Sequence, residues 1–267
     1  MPIKVFRKNI ESNPLIYYAI NTLISEYDIK RCHPSTMYFI KGKEFYTKLM
    51  SMDKFESNKL IGKMIKEDPN LYPKIEQTKI GWFNEFCEAN DIKDSNFISS
   101  TSDSILLVNK KPTKTTFYDG VVNFRNKDGE YTSYIRLVNP GLGNMEILFD
   151  GMSNNLRIKG INEEVVVGNP TFIRLFKQLL TLLEQTNRLS YPDILRKANL
   201  IRYKYINSKD PLMWASIKDK NQFVYIVNGE RILTQEILPE NDEATLVKSD
   251  NFMNLILPVI KLCFKPH

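Results

Sequence analysis

The sequence predicts an α+β protein with an antiparallel sheet flanked by helices, and three observations support that class. Before residue 97, apolar residues recur mainly three to four positions apart, which is the period of an amphipathic helix. Between about residues 97 and 161 the pattern changes to short apolar or alternating runs separated by turn residues, which is typical of strands. After residue 170 amphipathic helical segments return. The expected layout is a helix-rich front third, a β-rich centre and a mainly helical C-terminal part.

The bulk composition is that of a folded globular chain. The 267 residues are 42% hydrophobic and 25% charged, and no run of 18 apolar residues occurs, so we expect no membrane span. The N-terminal stretch MPIKVFRKNI is too polar for a secretory signal, which predicts a cytoplasmic protein. The formal net charge of +6 indicates a polyanionic partner such as nucleic acid, or else the Lys-rich coding of an AT-rich genome.

The cysteines and histidines restrict the chemistry available to the chain. Three scattered cysteines, Cys32, Cys87 and Cys263, argue against a disulfide framework and a thiolate zinc site. The two histidines are His33 and His267, and the second is the last residue, which argues against His-rich metal sites and a Ser-His-Asp triad. A metal would therefore be held by oxygen ligands, which favours Mg²⁺ or Mn²⁺.

The front third contains a segment that leads to the candidate site. NPLIYYAINTLISEYDI is either a short helix followed by a strand or one strand ending near Asp28, and Pro34 then interrupts regular structure. Helices are expected over part of MYFIKGKEFYTKLMSM, and over DKFESNKLIGKMIKE with Asp53 as its N-cap and an end at Asp68-Pro69. YPKIEQTKIGWFNEFCEAND predicts a further helix.

The centre and the C-terminal part are expected to hold hairpins and then helices. FISSTSDSILLVN predicts strand, turn and strand with Asp103 at the turn, and Asp128-Gly129 predicts a hairpin turn between alternating arms. MEILFD and NNLRIKGI continue the strands. TFIRLFKQLLTLLEQTNRLS predicts a helix capped by Thr171 and ending near Pro192, and YPDILRKANLIRYKYIN predicts another helix. FVYIVNGERIL predicts a hairpin that turns at its Asn-Gly, and DNFMNLILPVIKLCF predicts a C-terminal helix.

Asp28 and Asp103 share a local context, because each follows a predicted strand and precedes a polar turn. Two aspartates on adjacent strands can hold the pair of divalent ions that clamps the attacking and leaving oxygens in phosphoryl transfer. The alternative is that both are independent turn formers, since aspartate is common in turns. The spacing alone leaves both interpretations open.

The two aspartates lie in segments that resemble motifs of family B DNA polymerases. DIKRCHPS is similar to motif A, D-x-x-S-L-Y-P-S, at Asp28, Pro34 and Ser35. SSTSDSI is similar to motif C, Y-G-D-T-D-S-I, at Asp103 and Ser104. The resemblance implies that Asp28 and Asp103 are the catalytic carboxylates of a polymerase palm and ligate Mg²⁺ or Mn²⁺.

A third segment lies between these two, in the order that the family requires. KFESNKLIG is similar to motif B, K-x-x-x-N-S-x-Y-G, at Lys54, Asn58 and Gly62. The resemblance implies that Lys54 contacts the phosphates of an incoming nucleotide and that Asn58 and Gly62 shape the fingers helix. It also implies that His33, which stands at the motif A tyrosine, packs under the sugar. The motifs cover about the first 110 residues.

The end of the strand series near Gly168 to Pro170 predicts a domain boundary. Residues 1–168 would form the palm-like α+β domain with a very short fingers-like helical segment, and residues 169–267 a mainly helical, thumb-like region. The whole chain also resembles uncharacterised proteins encoded by phages of AT-rich hosts, which share the YDIK start. That resemblance implies a protein of the host-cell cytoplasm, with DNA and other phage replication or transcription proteins as partners and no membrane.

Two classes of function remain open at this point, beside a third possibility that the three motif matches are chance and the chain is an unrelated α+β phage protein. One is a divergent minimal polymerase-like protein that carries out metal-dependent nucleotidyl transfer on DNA, alone or as a subunit of a split polymerase. The other is a catalytically inactive palm-derived protein that binds nucleic acid or another phage protein. Thr101 stands where motif C has its first aspartate and favours the second class, whereas Asp28, Lys54 and Asp103 together favour the first. Whether the chain is an enzyme therefore stays open.

Candidate nucleic-acid contacts come from basic segments outside the motifs. YTSYIRL and FYDGVVNFRNK interleave aromatic residues with Arg125, Lys127 and Arg136, as stacking platforms with phosphate contacts do, although a half-buried sheet has the same pattern. The lysines that follow motif C and the basic residues of the helix predicted over RKANLIRYKYINSK are candidates for phosphate contacts, or else they are solvated surface residues. The candidate contacts are Lys110, Lys111, Arg196, Lys197, Arg202 and Lys204.

Overall fold

The computed structural model describes residues 11–101, 103–139, 143–153, 155–159, 164–167, 170–210, 213, 216–219, 222–227, 230–234, 245–246, 248–249 and 252–264. They fall into two compact units. The first unit takes the described residues of 1–13 and Ile24–Glu130, and the second takes Pro14–Leu23 and the residues from Tyr131 onward. Two long strands, β2 and β6, contribute to both units.

The first unit combines an antiparallel sheet with a run of helices. Its strands pair in the order β1-β3-β4-β2-β6, and β5 pairs with β6. The strand bounds are β1 (Glu11–Ser12), β2 (Tyr18–Ile29), β3 (Phe97–Ser100), β4 (Ser104–Val108), β5 (Thr116–Phe117) and β6 (Val122–Asn139). The helices are α1 (Cys32–Lys41), α2 (Lys43–Ser51), α3 (Lys54–Glu67) and α4 (Leu71–Ala89).

The position of β4 in the core of the first unit explains why its sequence is almost entirely apolar. Every residue of β4 is buried, since it lies between β3 and β2 and is covered by the apolar face of α4. Phe86 of α4 stacks on Phe124 of β6 with ring centroids 4.1 Å apart, and Trp82 and Phe83 join the same cluster. Burial of each such ring contributes about 1.5–3 kcal/mol, so these contacts fix α4 on the sheet.

The second unit pairs its strands in the order β2-β6-β7-β8-β9 and covers them with helices. A separate sheet follows the order β10-β11-β12. The strands are β7 (Gly143–Asp150), β8 (Asn155–Lys159), β9 (Glu164–Val167), β10 (Ser216–Asp219), β11 (Gln222–Val227) and β12 (Glu230–Thr234). The helices are α5 (Pro170–Glu184), α6 (Tyr191–Ile206), a π-helical turn (Phe252–Ile256) and α7 (Leu257–Leu262).

One large apolar cluster holds the second unit together. Ile147, Phe149 and Ile158 of the sheet pack in the same cluster as Phe176 and Leu179 of α5. The remaining helices, α6 and α7, add buried apolar residues to it. Within the described residues, no helix is both long enough and apolar enough to cross a membrane.

The predicted α+β class, with an antiparallel sheet and flanking helices, is confirmed. The segment before Asp28 forms the single strand β2, α4 forms where expected, and the strand-turn-strand around Asp103 is present as β3 and β4. Asp53 caps α3, because its side chain accepts a hydrogen bond of 2.9 Å from the Glu56 amide. The predicted C-terminal hairpin forms, with Val227 paired to Glu230; its turn, Asn228-Gly229, lies outside the described residues.

Two local predictions are wrong. Asp128-Gly129 does not turn the chain but lies inside β6, whose last seven residues pair with β7 from Ser133 onward. Cross-strand pairing therefore overrides the local turn preference there. Thr171 is not the cap of α5, because the helix already begins at Pro170, and the Thr171 hydroxyl donates to the Asp210 carboxylate at 2.8 Å.

The end predicted for that helix is also wrong. Helix α5 stops at Glu184, and Pro192 lies in the first turn of α6, where a missing amide proton costs nothing. The Ser190 side chain caps α6 by accepting a hydrogen bond from the Asp193 amide. The predicted domain boundary near Gly168 involves residues 168 and 169, which lie outside the described residues, and stays a prediction.

Candidate functional site

Asp28 lies near the C-terminal end of β2, directly opposite Ser104 of β4. The last six residues of β2 are all buried, and 9% of Asp28 is exposed. A carboxylate this buried needs a compensating partner, because removal of a charge from water is costly.

Arg125 of β6 is that partner. Its Nε donates to Asp28 Oδ1 at 2.7 Å and its Nη2 donates to Oδ2 at 3.0 Å, so one guanidinium engages both carboxylate oxygens. This bidentate geometry is the strong form of an ion pair. The charge of Asp28 is therefore balanced by Arg125, a residue of the same chain. A divalent metal needs the same oxygens as ligands. As the residues stand, they do not fit a metal ion at Asp28.

Asp103 lies in the bend before β4 and is exposed. Its backbone carbonyl accepts a hydrogen bond of 2.9 Å from the Ile29 amide, which extends the pairing of β2 with β4 by one residue. Thr101, at the position of the missing motif C carboxylate, hydrogen-bonds the Ser104 hydroxyl at 2.7 Å. Asp28 therefore lies on β2 and Asp103 in the bend just before the neighbouring strand β4. Among the described residues no group of three or more His, Cys, Asp or Glu side chains forms a metal-binding cluster.

His33 lies in the first turn of α1, and several charged groups act on it. Burial lowers the pKa of His33, the positive charge of Lys79 lowers it further, and Asp103 and Glu76 oppose this effect. Lys79 is 1% exposed and forms an ion pair with Glu76 at 2.6 Å. Sequence analysis missed this buried pair, because a lysine and a glutamate three residues apart on a helix are usually solvated.

Cys32 is adjacent to His33 and is not an activated thiol. Burial raises the pKa of Cys32 to about 12, and Asp103, Glu76 and Asp28 raise it as well, against the opposing effect of Lys79. The reactive form of cysteine is the thiolate. Cys32 is therefore neutral at physiological pH and packs as a small apolar residue.

The predicted motif B residues lie on α3. Lys54 is the first residue of the helix and is exposed, yet it is close enough to His33 to lower the His33 pKa. Asn58 is half-buried one turn later. No atom lies within 4 Å of the position that a Cβ would take at Gly62, so packing does not require glycine there.

Arg31 organises the chain around these residues, and sequence analysis gave it no role. It has a left-handed backbone conformation, with φ of 50°, and stands before the first residue of α1. Its guanidinium donates to the carbonyls of Leu49 and Met52 and to the Ser57 hydroxyl. Arg31 thus ties the end of α2 to the start of α3.

A groove lies between α5 and α6 in the second unit; the candidate residue Lys197 lines it, and the candidate residue Lys204 is bonded to one of its lining residues, Gln178. Lys197 Nζ donates to Gln185 Oε1 at 2.9 Å, and Lys204 Nζ donates to Gln178 Oε1 at 3.0 Å. The groove has a volume of about 290 Å³. We call it the lysine groove; its lining residues are Lys177, Gln178, Thr181, Leu182, Gln185, Lys197, Leu200 and Ile201.

The lysine groove is rich in hydrogen-bond donors. The oxygens of both glutamines accept from lysines, so their NH₂ groups remain as donors, and no lining residue carries a carboxylate. The floor is apolar, through Leu182, Leu200 and Ile201. Such a groove suits an anion attached to an apolar or planar body.

The other predicted nucleic-acid contacts differ in how their charge is compensated. Lys111 pairs with Glu130 at 2.7 Å, and Arg196 pairs with Asp193 at 3.0 Å, so a carboxylate offsets each charge. Lys110 is half-buried. Arg202 is exposed on α6 beside Lys204.

The aromatic residues of β6 are core residues. Phe124, Tyr131 and Tyr134 are each at most 5% exposed. The Tyr134 hydroxyl donates to Glu146 at 2.8 Å, and Arg157 donates to the Tyr131 hydroxyl at 2.8 Å, so both phenol groups are satisfied inside the fold. The half-buried sheet interpretation therefore accounts for these rings, and they provide no stacking surface.

Comparison with known proteins places the chain in a phage family. No curated protein matches the sequence. Residues 1–265 match the family described as "Bacteriophage PBS1 gene 130 protein". The expected phage relationship is thereby confirmed, while the likeness to a polymerase palm stays a prediction. The chain belongs to the bacteriophage PBS1 gene 130 protein family.

Proposed function

We propose that the protein is a non-catalytic nucleic-acid-binding protein that contacts the phosphate backbone through the lysine groove. The observation that carries this proposal is the pairing of Lys197 and Lys204 with the neutral side chains Gln185 and Gln178. These hydrogen bonds orient the two ammonium groups without neutralising them. The groove therefore keeps its positive charge.

The spacing of these cations supports a repeated anionic ligand. Lys197 and Lys204 are two helical turns apart, which is roughly 10 Å along the axis of α6. A nucleic-acid strand presents one phosphate per about 3.4 Å of helix axis, so the two lysines would contact phosphates about three nucleotides apart, and release of counterions from the phosphates drives binding. Arg202, exposed on the same helix, lies on a different face from these two lysines and is not part of the groove.

The ligand that we propose is DNA, and the proposed place of action is the cytoplasm of the host cell. The net charge of +6 supports a polyanionic ligand. An acidic segment of another phage protein has related chemistry, since it would present carboxylates to the same lysines. Its binding in place of DNA would contradict the proposal.

The test is a binding titration with fluorescently labelled 30-nucleotide single-stranded and duplex DNA. The double variant Lys197→Gln/Lys204→Gln keeps polar side chains next to the glutamines and removes two charges. We expect roughly tenfold weaker binding, and a slope of log affinity against log salt that is smaller by about two.

The matched control is Lys63→Gln, which removes the charge of an exposed lysine paired with Glu67 on α3. It should bind like the wild type. Equal binding by the double variant and the control, or an absence of salt-dependent binding by the wild type, contradicts the proposal.

Metal-dependent nucleotidyl transfer on DNA is the second candidate. It is supported by the position of Asp28 on β2 and of Asp103 in the adjoining bend before β4, where the Ile29 amide donates to the Asp103 carbonyl, and by the effect of Lys54 on the His33 pKa. The Arg125 guanidinium on Asp28 opposes it.

Incubation with primed DNA, deoxynucleotides and Mg²⁺ or Mn²⁺ separates the two candidates. Primer extension that is lost in Asp103→Asn would support the enzyme. Our proposal predicts no extension by the wild type with either metal.

A further inference from the structure

A connected set of aromatic rings lies on the first unit, next to the segment that resembles motif A. Phe39 is four residues after Ser35 on α1, and the Ser35 hydroxyl donates at 2.9 Å to the Val121 carbonyl, just after the turn that holds Tyr118. Phe39 of α1 contacts Trp82 of α4 at 5.5 Å and Tyr118, in the turn after β5, at 4.8 Å between ring centroids. Tyr38 extends the set, with its ring 5.2 Å from Phe39. Trp82 is 3% exposed, whereas Phe39 and Tyr118 are 41% and 39% exposed. A buried indole thus supports two half-exposed rings.

The backbone holds Tyr118 in an unfavourable conformation. Tyr118, Asp119 and Gly120 have φ values of 52°, 52° and 88°, so three consecutive residues are left-handed. For a bulky residue such as tyrosine this conformation is an outlier, and outliers of this kind cluster at functional positions. The Tyr118 hydroxyl donates to the Glu85 carboxylate, which fixes the ring against Phe39.

The exposed area of the two rings indicates the size of the ligand. An aromatic side chain presents about 150–250 Å², so 40% exposure leaves roughly 60–100 Å² on each ring. A standard protein–protein interface takes about 800 Å² from each partner. Two half-exposed rings are far smaller than that. Their planes are 74° apart, so a single planar heterocycle can stack on the face of one ring and meet the edge of the other.

We propose that Phe39 and Tyr118 form a stacking platform for one unstacked nucleobase of a single-stranded nucleic acid. This inference rests on the proposed nucleic-acid function and narrows its ligand, because a base must leave the duplex stack to reach a ring. Lys41 and Lys43, both exposed, follow Phe39 by two and four residues and supply cations at the same end of α1. Within the described residues, neither is paired with a carboxylate.

The platform is tested through the fluorescence of Trp82. The chain has two tryptophans, so Trp214→Phe leaves Trp82 as the sole reporter beneath Phe39. The probes are a 12-nucleotide oligodeoxythymidine and an abasic oligomer of the same length, which has the same phosphates and no bases. We expect oligodeoxythymidine to quench Trp82 and to bind roughly tenfold more tightly than the abasic oligomer.

Two variants remove the rings by different routes. Phe39→Leu keeps an apolar side chain, and Tyr118→Asn places at positive φ a residue that tolerates it. Both should bind oligodeoxythymidine only as tightly as the abasic oligomer and should lose the quench. Phe55→Leu, at a ring that is 77% exposed elsewhere on α3, should behave like the wild type.

The outcomes separate the platform from the broader proposal. Equal binding of the two oligomers by the wild type, or an unchanged quench in both ring-removing variants, overturns the platform and leaves the lysine groove standing. If neither oligomer binds, the nucleic-acid function fails and the platform fails with it.

Discussion

The carboxylate at the end of β2 and the lysine groove in the second unit differ in how their charged side chains are hydrogen-bonded: the first is paired with an opposite charge, and the second with neutral groups. Asp28 is nearly buried, and a guanidinium of the chain engages both of its oxygens. Lys197 and Lys204 also donate side-chain hydrogen bonds, but their acceptors are the neutral amides of Gln185 and Gln178. The first arrangement satisfies a charge internally, and the second orients a charge and leaves it available.

This difference teaches which charged residues are candidates for binding. A charged side chain with a bidentate partner of opposite sign already has its counterion, so a ligand must displace that partner. A charged side chain held by neutral groups gains by binding an ion from outside. On this criterion the lysine groove is the better candidate than the polymerase-like carboxylates, although the sequence motifs point to the carboxylates.

The largest expected effect comes from removing the internal counterion. Arg125→Met leaves the Asp28 carboxylate buried and unpaired, and we expect the free energy of unfolding to fall by roughly 2 kcal/mol, below the range for fully buried pairs because the guanidinium is more than half exposed. Urea denaturation measures this. Asp28→Asn in the same chain should restore part of the loss, and a single variant as stable as the wild type would show that the pair is dispensable.

A smaller effect is expected when a carboxylate is placed next to Lys197, so that the lysine gains a partner of opposite charge as Asp28 has. Gln185→Glu replaces the amide next to Lys197 by a carboxylate of nearly the same shape. DNA binding should weaken roughly three- to tenfold, while the free energy of unfolding changes by less than about 1 kcal/mol. Gln77→Glu, on exposed helix surface in the first unit, adds the same charge and should leave affinity unchanged. Equal affinities of the two variants would contradict the role of the groove.

A third change tests the predicted fingers helix. Gly62→Ala adds a methyl group that meets no atom within 4 Å, in the interior of α3. Alanine is the better helix former, so thermal unfolding should show stabilisation by about 0.5–1 kcal/mol, with DNA binding unchanged. A loss of binding without a loss of stability would instead support the role that the polymerase resemblance implies for Gly62.

The smallest effect concerns the pH dependence of stability. Burial and Lys79 lower the pKa of His33 in the folded protein, so the unfolded chain binds the proton more readily. The contribution of His33 to stability is therefore present above about pH 6.5 and is lost as the pH falls below that value. Chemical denaturation at pH 5 and pH 7 should show a smaller difference for His33→Asn than for the wild type. An equal or larger difference would mean that His33 is not held in its neutral form.

The regular elements followed from the sequence because their determinants are local. Asp53 begins α3 through its own side chain, and the apolar period of α4 matches the face that it buries. The prediction of a hairpin turn at Asp128-Gly129 was wrong because both residues lie inside β6. Pairing of that strand with β7 outweighs the turn preference of two residues.

The candidate sites were less predictable, because their key contacts are distant in sequence. Asp28 was identified from its local context, but Arg125, which decides its chemistry, is contributed by a strand far along the chain. Lys197 and Lys204 were identified from basic composition, and the pattern gave no sign that glutamines of α5 would hold them. Phe39 was missed because a helical aromatic residue usually belongs to the core, whereas 41% of Phe39 is exposed.

Photo-cross-linking followed by peptide mass spectrometry tests the central claim most directly, since it locates the ligand on the chain. A single-stranded oligonucleotide carrying 4-thiothymidine would be cross-linked to the wild-type protein at moderate salt. The account predicts cross-linked peptides from α5 and α6, including the segment from Lys177 to Lys204, and their loss in Lys197→Gln/Lys204→Gln. Cross-links confined to the peptides that carry Asp28, Lys54 and Asp103 would contradict it and would favour the polymerase-like site.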